Sequence, residues 1–150
     1  MAVPLLDLKA QHATIRDEVV AAVMDVVDQQ AFILGDPVAQ LECSVAGLSH
    51  VKYAVGCANG TDALQIAMMA LDLKPGDEVL LPVFTYVATA EVIALLGLTP
   101  VMIDVDPDTF CIEVDLIESK ISEKTKAIVP VHLFGQCANM DQILRIAEEH

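Results

Sequence analysis

A chain of 150 residues, 55% of them hydrophobic and only 4% aromatic, is long enough for one compact domain with an aliphatic core. Its 22 acidic side chains outnumber 8 basic ones for a formal charge of −14, and Lys120, Lys124 and Lys126 are scattered, which argues against nucleic acid as a partner. Asp77, Glu78, Glu91, Asp104 and Asp106 interrupt the apolar central half, so no run nears the roughly 18 residues of a membrane span and no membrane partner is expected.

Along the chain, residues 11–29 repeat apolar positions at helical spacing (Ile15, Val19, Val20, Val23, Val26, Val27), and after the Gly35-Asp36 break a second amphipathic stretch covers 37–48. Short apolar runs then alternate with helical segments. Residues 53–57, 78–83, 100–105 and 127–133 read as strands, and 61–71, 86–96, 114–121 and 140–149 as helices. That alternation predicts an α/β fold with a mostly parallel sheet between helices, a helical segment over 1–50 preceding the α/β part over 51–150. The last helix has no strand after it, so the sheet is expected to be incomplete at the C-terminus. Cys43, Cys57, Cys111 and Cys137 form no C-x-x-C pair, lie in core-like surroundings and follow no signal peptide, which reads as four reduced thiols of a cytoplasmic protein. Such hydrophobicity requires a sheet covered on both faces or an interface with another copy.

The most informative segment is Val55-Gly56-Cys57-Ala58-Asn59-Gly60-Thr61-Asp62-Ala63-Leu64, a strand pattern entering a helix through Asn-Gly. Free N–H groups of the first turn, the helix dipole, the bare backbone of Gly60 and the Thr61 hydroxyl suit a phosphate. Asn-Gly-Thr-Asp is also a good turn and N-cap, and these residues alone leave both readings open. A mononucleotide P-loop is excluded because Val55 and Thr61 occupy the positions of its first glycine and its lysine. A second junction, Pro82-Val83-Phe84-Thr85-Tyr86, places Phe84 or Tyr86 where an aromatic ring stacks on a flat cofactor or fills the core. Asp104, Asp106 and Asp108 alternate like a calcium loop, but Thr109 and Asp115 stand at its glycine and glutamate positions, so a strand end and Asp-Pro turn is expected, with no metal. His132 reads as a hydrogen-bonded core histidine that could face the site, and Met68 and Met69 as core filling.

Asn59-Gly60-Thr61-Asp62-Ala63-Leu64, Pro75-Gly76-Asp77-Glu78-Val79, Phe84-Thr85-Tyr86-Val87-Ala88-Thr89-Ala90 and residues 125–136 (Thr125 to Gln136), collinear with Leu5-Leu6-Asp7-Leu8-Lys9, resemble the DegT-type nucleotide-sugar aminotransferase family. Within it, Cys57-Ala58-Asn59-Gly60-Thr61-Asp62 and Gly135-Gln136-Cys137-Ala138 are most similar to enzymes that aminate UDP-2-acetamido-2-deoxy-3-oxo-glucuronate for bacterial surface polysaccharides.

The resemblance implies a fold-type I large domain, homodimerisation, pyridoxal 5′-phosphate (PLP) as cofactor, and a UDP-linked 3-keto sugar and glutamate as substrates. Gly60 and Thr61 would hold the PLP phosphate and Tyr86 would stack on the pyridine ring. Gln30 and Phe32 fall where the family usually carries a Gly and a Tyr that meet the nucleotide-sugar. No catalytic residue is expected within this chain. Lys9, Lys52, Lys74, Lys120, Lys124 and Lys126 read as surface charges, and the family's Schiff-base lysine would lie beyond His150. Two alternatives remain: a sugar dehydratase of the same family with histidine replacing that lysine, and a regulator that binds PLP or a sugar nucleotide without turnover.

Overall fold

The computed structural model describes residues 6–150; Leu5, which opens the matching motifs, lies outside them. The chain divides between Gly56 and Cys57 into two compact units. In the first, α1 (Leu8–Gln29) starts on Asp7, whose carboxylate accepts the Ala10 N–H at 3.0 Å, and α2 (Asp36–Leu48) carries Pro37 in its first turn, where an N–H has no helical acceptor anyway. The segment after α2 alternates apolar and small residues like a strand, yet residues 53–57 form none. Strand pairing needs a neighbouring edge, and the Gly56 N–H is instead taken by Glu42 Oε1 at 2.7 Å.

The second unit is a parallel three-stranded sheet of β1 (Glu78–Pro82), β2 (Thr99–Ile103) and β3 (Thr125–Ile128) in the order β2-β1-β3. Three helices, α3 (Gly60–Ala70), α4 (Ala88–Leu95) and α5 (Met140–Glu149), accompany it. Its α/β character and parallel pairing are those the alternation predicts. Strand β1 has no solvent face. Val79 and Leu81 join Met68 of α3, Val92 and Ile93 of α4 and Leu98 on one side, while Leu80 joins Ile103, Cys111, Ile117, Ile143 and Ile146 on the other. The connection from β1 to β2 runs over the first face through α4. The connection from β2 to β3 crosses to the opposite edge over the second face, so both crossovers have the same hand.

Two predicted elements differ. Residues 114–121 form two 3₁₀ turns, Val114–Leu116 and Glu118–Lys120, rather than one helix, since the Ser119 hydroxyl donates to the Leu116 carbonyl at 2.8 Å and Ile117 alone of this stretch is fully buried. The strand expected over 127–133 stops at Ile128, two residues before Pro130, which has no N–H for a ladder.

Four helices end on a left-handed residue. Gln30 (φ 54°) closes α1, with the Ala31 N–H on the Val26 carbonyl at 3.2 Å, and His50 (φ 55°) closes α2, with Val51 on Ala46 at 3.0 Å. Asp72 (φ 55°) follows α3 and Gly97 (φ 73°) follows α4, where Leu98 bonds Ile93 at 3.0 Å. Only Gly97 adopts that conformation without its steric cost of about 1–2 kcal/mol. Gln30→Gly is therefore expected to stabilise the protein by about 0.5–1 kcal/mol, the steric relief less the glycine's extra chain entropy, read as a raised midpoint in denaturant.

Candidate functional site

The start of α3 is built by Asn59. Its extended backbone (φ −164°, ψ 176°) leads into the helix, its side-chain oxygen accepts the Asp62 N–H at 3.0 Å, and its amide donates to the Asp62 carboxylate at 3.1 Å. Ala63 N–H reaches the Asn59 carbonyl at 3.1 Å. The N–H groups of Gly60 and Thr61 have no acceptor among the described residues, and a Cβ placed on Gly60 would meet nothing within 4 Å. Capping and anion binding thus use different donors of one turn: Asp62 and Ala63 serve the cap, and Gly60 and Thr61 remain for a ligand. The Asp62 carboxylate is the one negative side chain in that turn, and Asn59 keeps it tied.

At the carboxyl end of β1, Val83 N–H bonds the Ile103 carbonyl at 2.8 Å, the Thr85 and Thr89 hydroxyls share a bond of 3.2 Å, and α4 then begins. Tyr86 sits in this turn with 77% of its surface exposed, so it is no core residue of this chain. Phe84 packs edge-to-face with Phe110 (5.9 Å between centroids) and Phe134 (6.4 Å), which in turn meet at 6.5 Å. Each phenylalanine follows a different strand, so one aromatic cluster stands on the carboxyl edge of the sheet. Phe110 (φ 58°) and Phe134 (φ 53°) both hold left-handed backbone, Phe134 in a turn whose other central residue is Gly135 (φ 84°). The two strained residues cost about 2–4 kcal/mol, and three edge-to-face pairs contribute about 1.5–4.5 kcal/mol. The cluster is close to break-even. Sequence reasoning missed Phe110 and Phe134, although a phenylalanine within seven residues of every strand end was a visible signal.

Gln30 and Phe32 lie in the first unit. Gln30 is the stop of α1, which gives a backbone reason for glycine at that position, and Phe32 is exposed between the helices. His132 is exposed rather than core: β3 has already ended, and its Nδ1 accepts the Ala138 N–H at 3.1 Å. Asp106 closes the expected turn, accepting N–H bonds from Thr109 at 2.7 Å and Asp108 at 3.0 Å. Hydrogen bonds from Thr109 and then Asp108 hold its carboxyl below the usual range, so their support for the turn is present above the ordinary carboxylate pKa and lost as pH falls through the lowered one. All four cysteines are free, but only Cys111 is buried, and Met69 is exposed while Met68 is core. Every lysine is exposed, no group of three or more His, Cys, Asp or Glu among the described residues could hold a metal ion, and no described helix is long and apolar enough to cross a membrane.

The sequence model of the DegT/DnrJ/EryC1/StrS aminotransferase family matches residues 13–150. The chain is 47% identical over 149 residues to a UDP-N-acetyl-3-dehydro-alpha-D-glucosamine 3-aminotransferase of Acidithiobacillus ferrooxidans, covering 99% of this chain and 40% of that protein. It is 49% identical over 148 residues to the UDP-2-acetamido-2-deoxy-3-oxo-D-glucuronate aminotransferase of Pseudomonas aeruginosa (99% and 41%) and 46% identical over 150 residues to a pleiotropic regulatory protein of Geobacillus stearothermophilus (100% and 40%). Thus the chain spans about two fifths of the length of the curated relatives it matches. Among solved structures, a DegT/DnrJ/EryC1/StrS aminotransferase from Brucella abortus superposes with a TM-score of 0.91 at 40% identity, covering 99% of this chain and 42% of that one. NtdA from Bacillus subtilis with bound cofactor PMP superposes at 0.94 with 34% identity (98% and 34%).

Asn59→Ala is expected to cost about 1 kcal/mol of stability by removing the cap on α3, and Asn59→Asp to recover most of it, as compared by denaturant titration of the ligand-free protein.

Proposed function

We propose, from the premise that the chain belongs to the DegT/DnrJ/EryC1/StrS aminotransferase family, that it is the part of a PLP-dependent nucleotide-sugar transaminase that holds the cofactor's phosphate and ring. The observation that carries this reading is the pair of uncommitted N–H groups on Gly60 and Thr61 at the start of an 11-residue helix, with open space around the Cβ position of Gly60. These residues fit the group: backbone donors and a hydroxyl suit a phosphate dianion, and the exposed ring of Tyr86 suits a flat heterocycle. The substrate proposed is a UDP-linked 3-keto sugar with glutamate as amino donor, in the synthesis of surface-polysaccharide precursors. Identities of 47% and 49% to two aminotransferases whose names specify UDP-linked 3-keto sugars support it. A cytoplasmic homodimer completes the proposal.

When bound, the cofactor supplies the electron sink that lets an amino group pass between glutamate and a keto carbon. Gly60 and Thr61 anchor the phosphate through two backbone donors and the Thr61 hydroxyl, and the α3 dipole adds to their attraction. Asp62 is held back by the Asn59 amide, which limits its repulsion of that anion. Tyr86 restricts tilt of the ring from one face. Gln30 and Phe32 are proposed to meet the nucleotide-sugar, Phe32 by its exposed ring.

The second reading, a regulator that binds PLP or a sugar nucleotide without turnover, draws on the 46% identity to the Geobacillus stearothermophilus regulatory protein. Glutamate separates the two. In the full-length protein it should convert bound PLP to pyridoxamine phosphate, visible as loss of the visible absorbance band; a band unchanged by glutamate selects the regulator.

Thr61→Ala in the full-length protein should weaken PLP binding by about 1–2 kcal/mol, because one charge-assisted hydrogen bond is lost while backbone donors remain. An unchanged dissociation constant would reduce the loop to a helix cap. Tyr86→Phe should keep cofactor affinity, whereas Tyr86→Ala should lose about 1 kcal/mol of stacking with the ligand-free thermal midpoint unchanged. A large drop in that midpoint with normal PLP affinity would assign Tyr86 to packing.

A further inference from the structure

The Val83 to Val87 turn is tied by its own backbone only at its two ends. Val83 N–H reaches the Ile103 carbonyl, but the N–H groups of Phe84, Thr85, Tyr86 and Val87 have no acceptor among the described residues. The Tyr86 carbonyl accepts the Thr89 N–H at 3.1 Å and the Val87 carbonyl those of Ala90 and Glu91, which ties the far end to α4, while the Thr85–Thr89 hydroxyl bond holds Thr85 and ring contacts hold the ring of Phe84. That ring is gripped by two others whose backbones are bent into left-handed conformation to reach it, although Phe110 is 43% and Phe134 83% exposed. Core formation does not explain such residues, and their aromatic contacts only about offset their strain. Strain kept at the carboxyl edge of a parallel sheet, beside an exposed aromatic residue, is strain at a site.

We propose that Phe110 and Phe134 are positioning residues: with Phe84 they form an aromatic brace that fixes the Val83 to Val87 turn and thereby sets the face that Tyr86 offers to the cofactor ring. The inference rests on the assignment of Tyr86 to PLP. Phe134 and Phe110 act through Phe84, the one ring of the turn with which both pair edge-to-face among the described residues. The ring edge matters, not apolar bulk, since the contacts are T-shaped with interplanar angles of 60° to 76°.

The test uses the full-length protein with PLP as probe. In the ligand-free Phe134→Leu variant, hydrogen exchange of the Val83 and Thr89 amides, the bonded N–H groups on either side of the turn, should accelerate about 10-fold while exchange in β1 is unchanged. Its PLP affinity should fall about 5-fold. The induced visible circular dichroism of the bound cofactor should weaken, and Phe134→Tyr should restore all three. Combined with Tyr86→Ala, Phe134→Leu should add no further loss of affinity, because the brace works through that ring. Unchanged exchange at Val83 and Thr89, or normal PLP affinity in Phe134→Leu when Tyr86→Ala is weakened, overturns the brace and leaves the cofactor assignment standing. Normal affinity in Tyr86→Ala removes the stacking assignment itself, and with it the basis of the brace, on a different variant.

Discussion

Complete burial of β1 on both of its faces is the constraint from which the rest of the second unit follows. Val79, Leu80 and Leu81 alternate by the pleat, so each face needs its own apolar cover, and a parallel neighbour on either side is reached only by a crossover long enough to supply one. Helices α3 and α4 cover Val79 and Leu81, and the 3₁₀ turns with α5 cover Leu80. The edge strands, each with a single neighbour, are far less buried.

The same arrangement turns every strand's carboxyl end to one edge, and there the chain departs from regular geometry. Three connections leave that edge, each with a phenylalanine, and two of those sit in conformations that glycine would take more readily. Regular structure is thus concentrated where burial alone decides, and left-handed residues fall at helix ends and in turns, Phe110 and Phe134 among them at this edge. The start of α3 follows a related economy: one turn satisfies its own cap and still leaves two donors outward.

The sequence made the fold legible wherever period and burial agree. The buried strand β1 and helices such as α5 were readable within a residue or two, because a run of Val-Leu-Leu or a stripe of Ile143 and Ile146 has one good environment. Residues 53–57 have strand-like alternation, but the Gly56 N–H finds its acceptor in Glu42 of α2, a partner that alternation cannot reveal. His132 and three of the cysteines sit in apolar sequence yet at the surface, since apolar neighbours alone do not fix exposure. At the candidate site, Gly60 and Thr61 stood out because strand, turn and helix dipole are local features. The aromatic cluster did not, because it joins residues 24 to 50 positions apart and depends on φ angles that no composition encodes.

The strand order also sets a schedule. Glu78 on the central strand waits for Thr125, 47 residues later, before its carboxylate meets that hydroxyl and β3 completes the sheet. At a synthesis rate of about 5–20 residues per second, β1 therefore waits roughly 2–10 seconds for β3, at first with no neighbour and then with β2 alone, and the second cover over Leu80 arrives later still, when α5 is made. During translation an apolar strand edge is open to any other chain in reach. The protein's yield in cells should depend on what shields that edge in those seconds, even though the finished fold conceals it completely.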